Sequence, residues 1–184
     1  MPILFRQLNA LGLFTVSSIM AFALYDQLFA NELPCPLCLI QRLGFSAVML
    51  ALMLNSLHGP KPVYYSFATL SAVFGSAAAL RQVSLHVIPG TPAYGAPLFG
   101  LHFYTWAFIC FVIMIIGFSI ISSFTAQYQS EQMSRYTGFN NQPWFIKFSC
   151  LFAIVILLAN TLLTFAECGP QVCPDNPMTY WLFN

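Results

Sequence analysis

Residues 35 to 42 read Cys35-Pro-Leu-Cys38-Leu-Ile-Gln-Arg42, and they open a long apolar stretch. A proline directly after Cys35 suits the first turn of a helix, where its missing N–H leaves no hydrogen bond unmade. The unpaired N–H groups and the positive dipole end of such a helix favour a thiolate. Arg42 lies one turn beyond Cys38 on the same face. This stretch therefore predicts a membrane helix that begins with a redox-active cysteine pair beside a cation.

The composition is that of an integral membrane protein. Of the 184 residues, 59% are hydrophobic and only 6% are charged, whereas soluble domains carry about a quarter charged residues. A net charge of +1 argues against a nucleic-acid partner. Five segments are apolar enough to cross a bilayer as helices, which takes about 20 residues each. We predict an all-α polytopic membrane helix bundle in one domain, with spans at about Leu8–Ala30, Leu37–Leu57, Val63–Leu85, Gly100–Phe124 and Phe145–Phe165, and a tail from Glu167 to Asn184.

Lysine and arginine residues outside the spans set the predicted orientation, because they are enriched on the cytoplasmic side. Four of the six lie at the amino end, in the second connection or around the fourth, namely Arg6, Lys61, Arg135 and Lys147. We therefore expect a cytoplasmic amino terminus and an outer carboxyl terminus. The competing interpretation is a cleaved signal peptide ending near Ala30. Its apolar run is too long for that, and Asp26 interrupts its end.

Four of the six cysteines fall on the predicted outer side. Cys168 and Cys173 follow the fifth span in a stretch with glycine and proline, which we expect to be a mobile turn. Two dithiol pairs on one face can exchange through a mixed disulfide, so we predict that both pairs are redox-active. A static disulfide that holds the tail is the alternative for the second pair. Net electron flow needs an acceptor, and a lipid-soluble quinone could reach Cys38 from the acyl region.

The motif Cys35-Pro-Leu-Cys38-x-x-x-Arg42, at the start of the second span, resembles that of the disulfide bond formation protein B (DsbB) family of thiol–quinone oxidoreductases. Two further stretches support the resemblance: Arg81-Gln-Val-Ser-Leu85 in the third span and Gly100-Leu-His-Phe-Tyr-Thr-Trp106 in the fourth. The similarity covers about residues 5 to 125. It implies a DsbB-like four-helix core, which here is followed by a fifth transmembrane helix.

The resemblance implies an enzyme of the bacterial inner membrane that reoxidises a periplasmic DsbA-like thioredoxin-fold protein. The electrons would pass to a membrane quinone, ubiquinone or menaquinone. Carried over to this chain, Cys35 and Cys38 become the quinone-coupled pair. The Cys38 thiolate would meet the quinone ring, and Arg42 would stabilise the developing charges. The other candidate residues for the quinone site are Arg81, His86 and His102.

This chain departs from the family pattern in its second cysteine pair. The family carries that pair in the outer loop between the third and fourth spans, whereas residues 85–101 contain no cysteine. The nearest replacement is Cys168/Cys173, after the fifth span. The resemblance therefore does not assign the cysteine that a partner protein attacks.

Three alternatives remain. A vitamin K epoxide reductase-like enzyme would also couple dithiols to a quinone, but its redox pair is expected late in the bundle. A structural subunit, with packed cysteines and a snorkelling arginine, has no positive feature in its favour. A metal- or heme-handling membrane protein could use several outer residues, since four sulfurs can form a tetrahedral site, but the arginine beside Cys38 would repel a cation. The residues available to it are Cys35, Cys38, Cys168, Cys173 and His86.

Overall fold

The structure, a computed structural model, describes residues 2–29, 32–87, 95, 97–128, 139–174 and 179–183. Arg135 and most of the predicted third connection lie outside these residues. Long helices make up most of the described chain. They are α1 (Pro2–Phe29), α2 (Pro36–His58), α3 (Pro62–His86), α4 (Phe103–Ser122) and α5 (Trp144–Cys168).

All five helices are long and apolar enough to cross a membrane, which confirms the predicted polytopic helix bundle. The predicted span ends lie within three residues of the helix ends, with one exception. The first helix begins at Pro2, six residues before the predicted start at Leu8. Its extra turns carry Arg6, which is 2% exposed and donates a hydrogen bond to the carbonyl of Leu57 at 3.4 Å. A cation is favoured there because the carboxyl end of a helix is negative.

The helices pack in the order α5, α1, α2, α3, α4, so that α1 lies between α5 and α2, and α3 lies between α2 and α4. Apolar side chains from every helix meet in one core, among them Leu13, Met49, Ala72, Phe111 and Ile146. The fifth helix also makes a smaller contact with α2. The arrangement is therefore a four-helix core, with the additional helix packed beside α1.

Two glycines let α2 and α3 approach closely. A Cβ added at Gly44 would lie 3.0 Å from the Cα of Gly75, and a Cβ added at Gly75 would overlap the ring of Phe111 from α4. Phe111 is fully buried and stacks on Phe45, with ring centroids 4.1 Å apart. Lipid gives little hydrophobic drive between helices, so close packing at small residues is a principal stabilising interaction in a membrane.

Polar side chains are buried at both ends of the bundle. At the end that carries Arg6, Asn9 donates a hydrogen bond to the Tyr65 hydroxyl at 2.6 Å, and that hydroxyl donates to Gln127 at 3.0 Å. The opposite end contains the starts of α2 and α4 and the last turns of α1, α3 and α5. Both predicted cysteine pairs lie at this second end, which we call the cysteine end.

Candidate active site

The first cysteine pair caps α2. Cys35 has an extended backbone (φ −72°, ψ 163°) and directly precedes Pro36, the first helical residue. Its sulfur accepts a hydrogen bond from the backbone N–H of Cys38 at 3.2 Å. The sulfur thus takes the place of the serine or aspartate oxygen that usually satisfies an N–H group at a helix start. The prediction that a helix begins with this pair is confirmed.

Gln82, in the last turns of α3, contacts both sulfurs. Its Nε2 lies 3.2 Å from the sulfur of Cys35 and 3.5 Å from the sulfur of Cys38. Gln41 donates a hydrogen bond to Oε1 of Gln82 at 2.6 Å, which leaves the N–H groups of Gln82 for the sulfurs. Both glutamines are buried. Because an N–H donor favours the charged form of its acceptor, Gln82 stabilises a thiolate at this pair.

The two cysteines differ in their surroundings. Cys35 is buried, whereas Cys38 is half-buried. The side-chain hydrogen bond with Cys38 and burial raise the pKa of Cys35 above that of an ordinary thiol. Cys35 therefore keeps its proton, and Cys38 is the sulfur placed to react as a thiolate.

Arg42 lies one helical turn beyond Cys38 and is held by α1. Its guanidinium donates hydrogen bonds to Oε1 of Gln27 at 2.5 Å and to the carbonyl of Ala23 at 3.1 Å. Gln27 donates in turn to Oε2 of Glu167, in the last turn of α5, at 3.4 Å. Side chains from three helices therefore fix the cation next to the reactive cysteine.

A cavity of about 480 Å³ opens beside Cys38 and Arg42, between α1, α2 and α4. Its walls are mainly apolar and aromatic, and they include Ile19, Phe22, Phe45, Phe103, Tyr104 and Trp106. Its polar lining includes Asp26, Glu32, Cys38, Gln41 and Arg42. An apolar cavity with a few convergent polar groups is typical of a site for a small molecule or cofactor.

The other three residues that the sequence suggested for this site do not line the cavity. Arg81 is exposed although its neighbour Gln82 is buried, because successive helical residues point roughly 100° apart. Nδ1 of His86 lies 2.8 Å from the carbonyl of Gln82, and the ring stacks on Tyr104 at 5.1 Å. His102 also stacks on Tyr104, at 5.4 Å. The two histidines therefore support a wall residue of the cavity, and Arg81 is not brought to the site.

Cys168 and Cys173 form a disulfide at the cysteine end, with Cα atoms 4.7 Å apart. Cys168 is the last residue of α5 and is buried, whereas Cys173 is half-buried. The helix stops at Gly169, whose φ is +62°. Trp181 packs against Gly169 so closely that a Cβ there would overlap the indole. The expectation of a mobile turn is therefore wrong, because the tail folds back onto the end of α5.

The described residues contain no group of three or more His, Cys, Asp and Glu side chains that could hold a metal ion. Cys168 is bonded to Cys173, and Gln82 lies against the sulfurs of Cys35 and Cys38. The sulfurs thus occur as two separate pairs. Nothing in this part of the chain favours the metal- or heme-handling alternative.

Our sequence reasoning missed four buried polar residues that build this site, namely Gln27, Gln41, Gln82 and Glu167. Their polarity was the available signal, since polar groups inside membrane spans are costly and usually have a partner or a function. Their partners could not be assigned from spacing, because the four residues lie on four different helices.

Comparison with known proteins supports a single family. Residues 5–121 match the family model described as Disulfide bond formation protein DsbB. The Disulfide bond formation protein B of Xanthomonas euvesicatoria is 34% identical over 90 residues, which are 46% of this chain and 52% of that protein. The protein of the same name from Acinetobacter baylyi is 39% identical over 85 residues, 42% and 50% of the two chains. That of Chromobacterium violaceum is 40% identical over 72 residues, 37% and 43% of the two chains.

The matched region contains the first cysteine pair, Arg42 and Gln82, and it ends before α5. The chain spans about half the length of the curated relatives it matches. No solved structure matches the chain.

Proposed function

The chain belongs to the DsbB family of disulfide bond formation proteins, and on this premise we propose that it is a protein dithiol:quinone oxidoreductase. It reoxidises a periplasmic DsbA-like thioredoxin-fold protein and passes the electrons to a membrane quinone, either ubiquinone or menaquinone. Family membership supports the formation of disulfides. The electron acceptor, the partner protein and the roles of individual residues are the content of the proposal.

One observation carries the proposal: the reactive Cys38 lines an apolar cavity inside a bundle of membrane-spanning helices. An acceptor that dissolves in lipid can reach such a cavity, whereas a hydrophilic acceptor would lose its hydration there. The volume of about 480 Å³ lies within the usual range for small-molecule sites, about 300–1,000 Å³. The helices α1 and α4 line the cavity without packing closely on each other, which suits entry from the membrane.

The residues around the cavity fit a quinone head group. Phe103, Tyr104 and Trp106 offer flat apolar surfaces for a ring. Arg42 offers N–H donors, and in a site of low dielectric a fixed donor strongly stabilises developing negative charge. When bound, a quinone supplies an acceptor for two electrons and two protons.

The first cysteine pair carries out the oxidation in this proposal. Cys38 reacts as the thiolate, and Cys35 keeps its proton until its sulfur bonds to that of Cys38. Forming this S–S bond releases two electrons and two protons, which balances the reduction of one quinone to one quinol. Gln82 supports the step because its N–H groups stabilise negative charge on either sulfur.

We assign the Cys168–Cys173 disulfide to exchange with the partner protein. Cys173 is the less buried of the two, so a thiolate of the partner attacks its sulfur and releases that of Cys168. A second exchange then passes the electrons to the disulfide of the first pair. Both pairs lie at the cysteine end of the bundle, as this transfer requires. The competing role for Cys168–Cys173 is a structural disulfide that holds the tail against α5.

In this proposal the cysteine end faces the periplasm, and the amino terminus lies in the cytoplasm. The positive residues Arg6, Lys61 and Lys147 support this orientation, since each lies at or near the opposite end of the bundle. A membrane-impermeant thiol reagent applied to intact spheroplasts should label the reduced Cys168 and Cys173. Labelling that needs lysis of the spheroplasts would reverse the orientation.

The whole reaction is tested with purified protein, a soluble quinone and a reduced thioredoxin-fold donor. We expect loss of quinone absorbance, with one donor disulfide formed for each quinone reduced. The Cys38→Ser variant serves as the blank. Failure of the wild-type protein to reduce quinone, or equal reduction by the blank, would refute the proposed function.

A further inference from the structure

We propose that Glu167 is a positioning residue for the quinone site: it orients the amide of Gln27, and Gln27 in turn holds the guanidinium of Arg42 beside Cys38. The inference rests on the proposed function and deepens it, because it gives the fifth helix a role in that site. The family match ends before this helix.

The contacts form a chain across three helices. Oε1 of Gln27 accepts the 2.5 Å hydrogen bond from Arg42. Nε2 of Gln27 donates to Oε2 of Glu167 at 3.4 Å and to the hydroxyl of Tyr180 at 3.3 Å. Gln27 and Glu167 are each only 2% exposed. Water therefore has little access to this chain, and each group depends on the next for its partner.

The chemistry of the groups gives the chain a direction. A glutamine amide has one accepting end and one donating end, and it can rotate to exchange them. Arg42 only donates, and an ionised Glu167 only accepts. The carboxylate thus draws the NH₂ group of Gln27 toward α5 and leaves Oε1 for Arg42. The Tyr180 hydroxyl does not select either orientation, because it can donate or accept.

A structural role alone explains Glu167 poorly. Buried carboxylates are usually satisfied by several hydrogen bonds. Oε1 of Glu167 has no hydrogen-bond partner among the residues that the structure describes, and Oε2 makes the long bond to Gln27. The charge lies one amide away from the Arg42 cation. Its clearest favourable interaction is therefore with that cation, which is costly to hold inside a membrane span.

The same geometry shows what would happen without the carboxylate. Asp26 and Glu32 also line the cavity. If Gln27 no longer presents its oxygen, Arg42 is free to turn toward either of these carboxylates and away from the reacting groups. The titratable and charged groups around Cys38 are Cys35 and Arg42 of α2, Asp26 of α1, Glu32 of the connection, His86 of α3, Tyr104 and Cys110 of α4, and Glu167 and Tyr180 of the carboxyl-terminal part.

The first test compares quinone kinetics of Glu167→Gln, Glu167→Asp and Ser149→Ala, the last being a buried α5 hydroxyl away from the site. Glu167→Gln removes the acceptor-only group, so kcat/KM for the quinone should fall about tenfold, the scale of one hydrogen bond to a charged group. Glu167→Asp should recover most of the activity, and Ser149→Ala should match the wild type. In an Arg42→Ala background, Glu167→Gln should cause no further loss, because coupled residues are not additive.

A reversed pair makes the test independent of folding defects. The double variant Gln27→Glu with Glu167→Gln keeps the net charge and restores the chain. The carboxylate introduced at position 27 accepts from Arg42 and also from the amide introduced at position 167. The double variant should recover the quinone kinetics that Glu167→Gln loses. An equal loss in the double variant, or an equal effect of Glu167→Gln with and without Arg42, would leave Glu167 a structural residue and overturn the inference.

A readout without turnover separates this inference from the proposed function. Phenylglyoxal modifies arginine side chains, and mass spectrometry reports the modified fraction of Arg42 in folded protein. Modification should be about tenfold faster in Glu167→Gln than in the wild type, and unchanged in Ser149→Ala. Loss of quinone reduction in the wild type would refute the function alone. Unchanged labelling of Arg42 in Glu167→Gln would refute the link between the two residues.

Discussion

Nε2 of Gln82 lies 3.2 Å from the sulfur of Cys35, and this contact joins α3 to the helix start that carries the reactive pair. The same amide nitrogen lies 3.5 Å from the sulfur of Cys38. One side chain therefore stabilises negative charge on whichever sulfur carries it. Gln41 fixes the orientation of this amide through its 2.6 Å hydrogen bond.

The contact predicts that Gln82→Leu slows alkylation of Cys38 by iodoacetamide at pH 7. Leucine fills much of the same volume but removes the N–H donors, and a hydrogen bond to a charged group is worth about tenfold or more. Mass spectrometry of the reduced protein measures the rate. The matched control is Arg81→Ala, at the exposed neighbouring position, which should leave the rate unchanged. Equal rates for both variants and the wild type would mean that Gln82 only packs against the sulfurs.

Replacement of either reactive cysteine should abolish quinone-linked oxidation of a dithiol. Both Cys35→Ser and Cys38→Ser should insert and fold normally, because serine can also cap a helix and differs little in size. Turnover with a soluble quinone measures the loss. Cys150→Ala, at a buried position of α5, is the control that should retain activity. Ordinary turnover in either serine variant would show that the assignment of the pair is wrong.

Arg42→Ala should reduce quinone turnover far more than it affects folding. Loss of one well-placed donor in a site of low dielectric costs about 10²–10³-fold in rate. Arg42→Lys should fall between the alanine variant and the wild type, since lysine keeps the charge but cannot reproduce the two-pronged donor geometry. Steady-state kinetics and thermal unfolding in detergent measure the two effects. An alanine variant with unchanged rate and KM for quinone would make Arg42 a snorkelling anchor.

The tail disulfide predicts a separation of two activities. Cys168→Ser or Cys173→Ser should block oxidation of a thioredoxin-fold partner, because the partner then has no disulfide to attack at the tail. Oxidation of a small dithiol by the first pair should largely survive. Parallel assays with the two donors measure the difference. Unimpaired partner oxidation in both variants would identify the bond as a structural clip.

The close approach of α2 and α3 predicts a loss of stability in Gly75→Ala. The added methyl group would overlap the Phe111 ring, and overpacking of this kind costs about 1–3 kcal/mol. Gly117→Ala is the control, since no atom lies within 4 Å of a Cβ at that position. Alanine should leave stability there unchanged or raise it by up to about 1 kcal/mol. Thermal unfolding of the two purified variants makes the comparison, and equal transitions would contradict the predicted packing.

The sequence by itself determined the number of helices and the position of the first cysteine pair. Apolar length alone predicts a membrane span, because a helix that satisfies its own backbone hydrogen bonds is one of few structures that lipid accepts. Pro36 and Pro62 marked two helix starts through a local preference. Cys35, Cys38 and Arg42 belong to the first two turns of one helix, so their proximity followed from helical geometry.

Only the tertiary structure decided which distant polar groups complete the site. Gln82 rather than Arg81 faces the sulfurs, and this depends on the rotation of α3 against α2, which a nearly uniform apolar span does not specify. The link from Arg42 through Gln27 to Glu167 needs α5 to pack beside α1, about 140 residues along the chain from Gln27. Contacts of this kind depend on how helices pack together, and the local pattern within each helix carries no record of its partners.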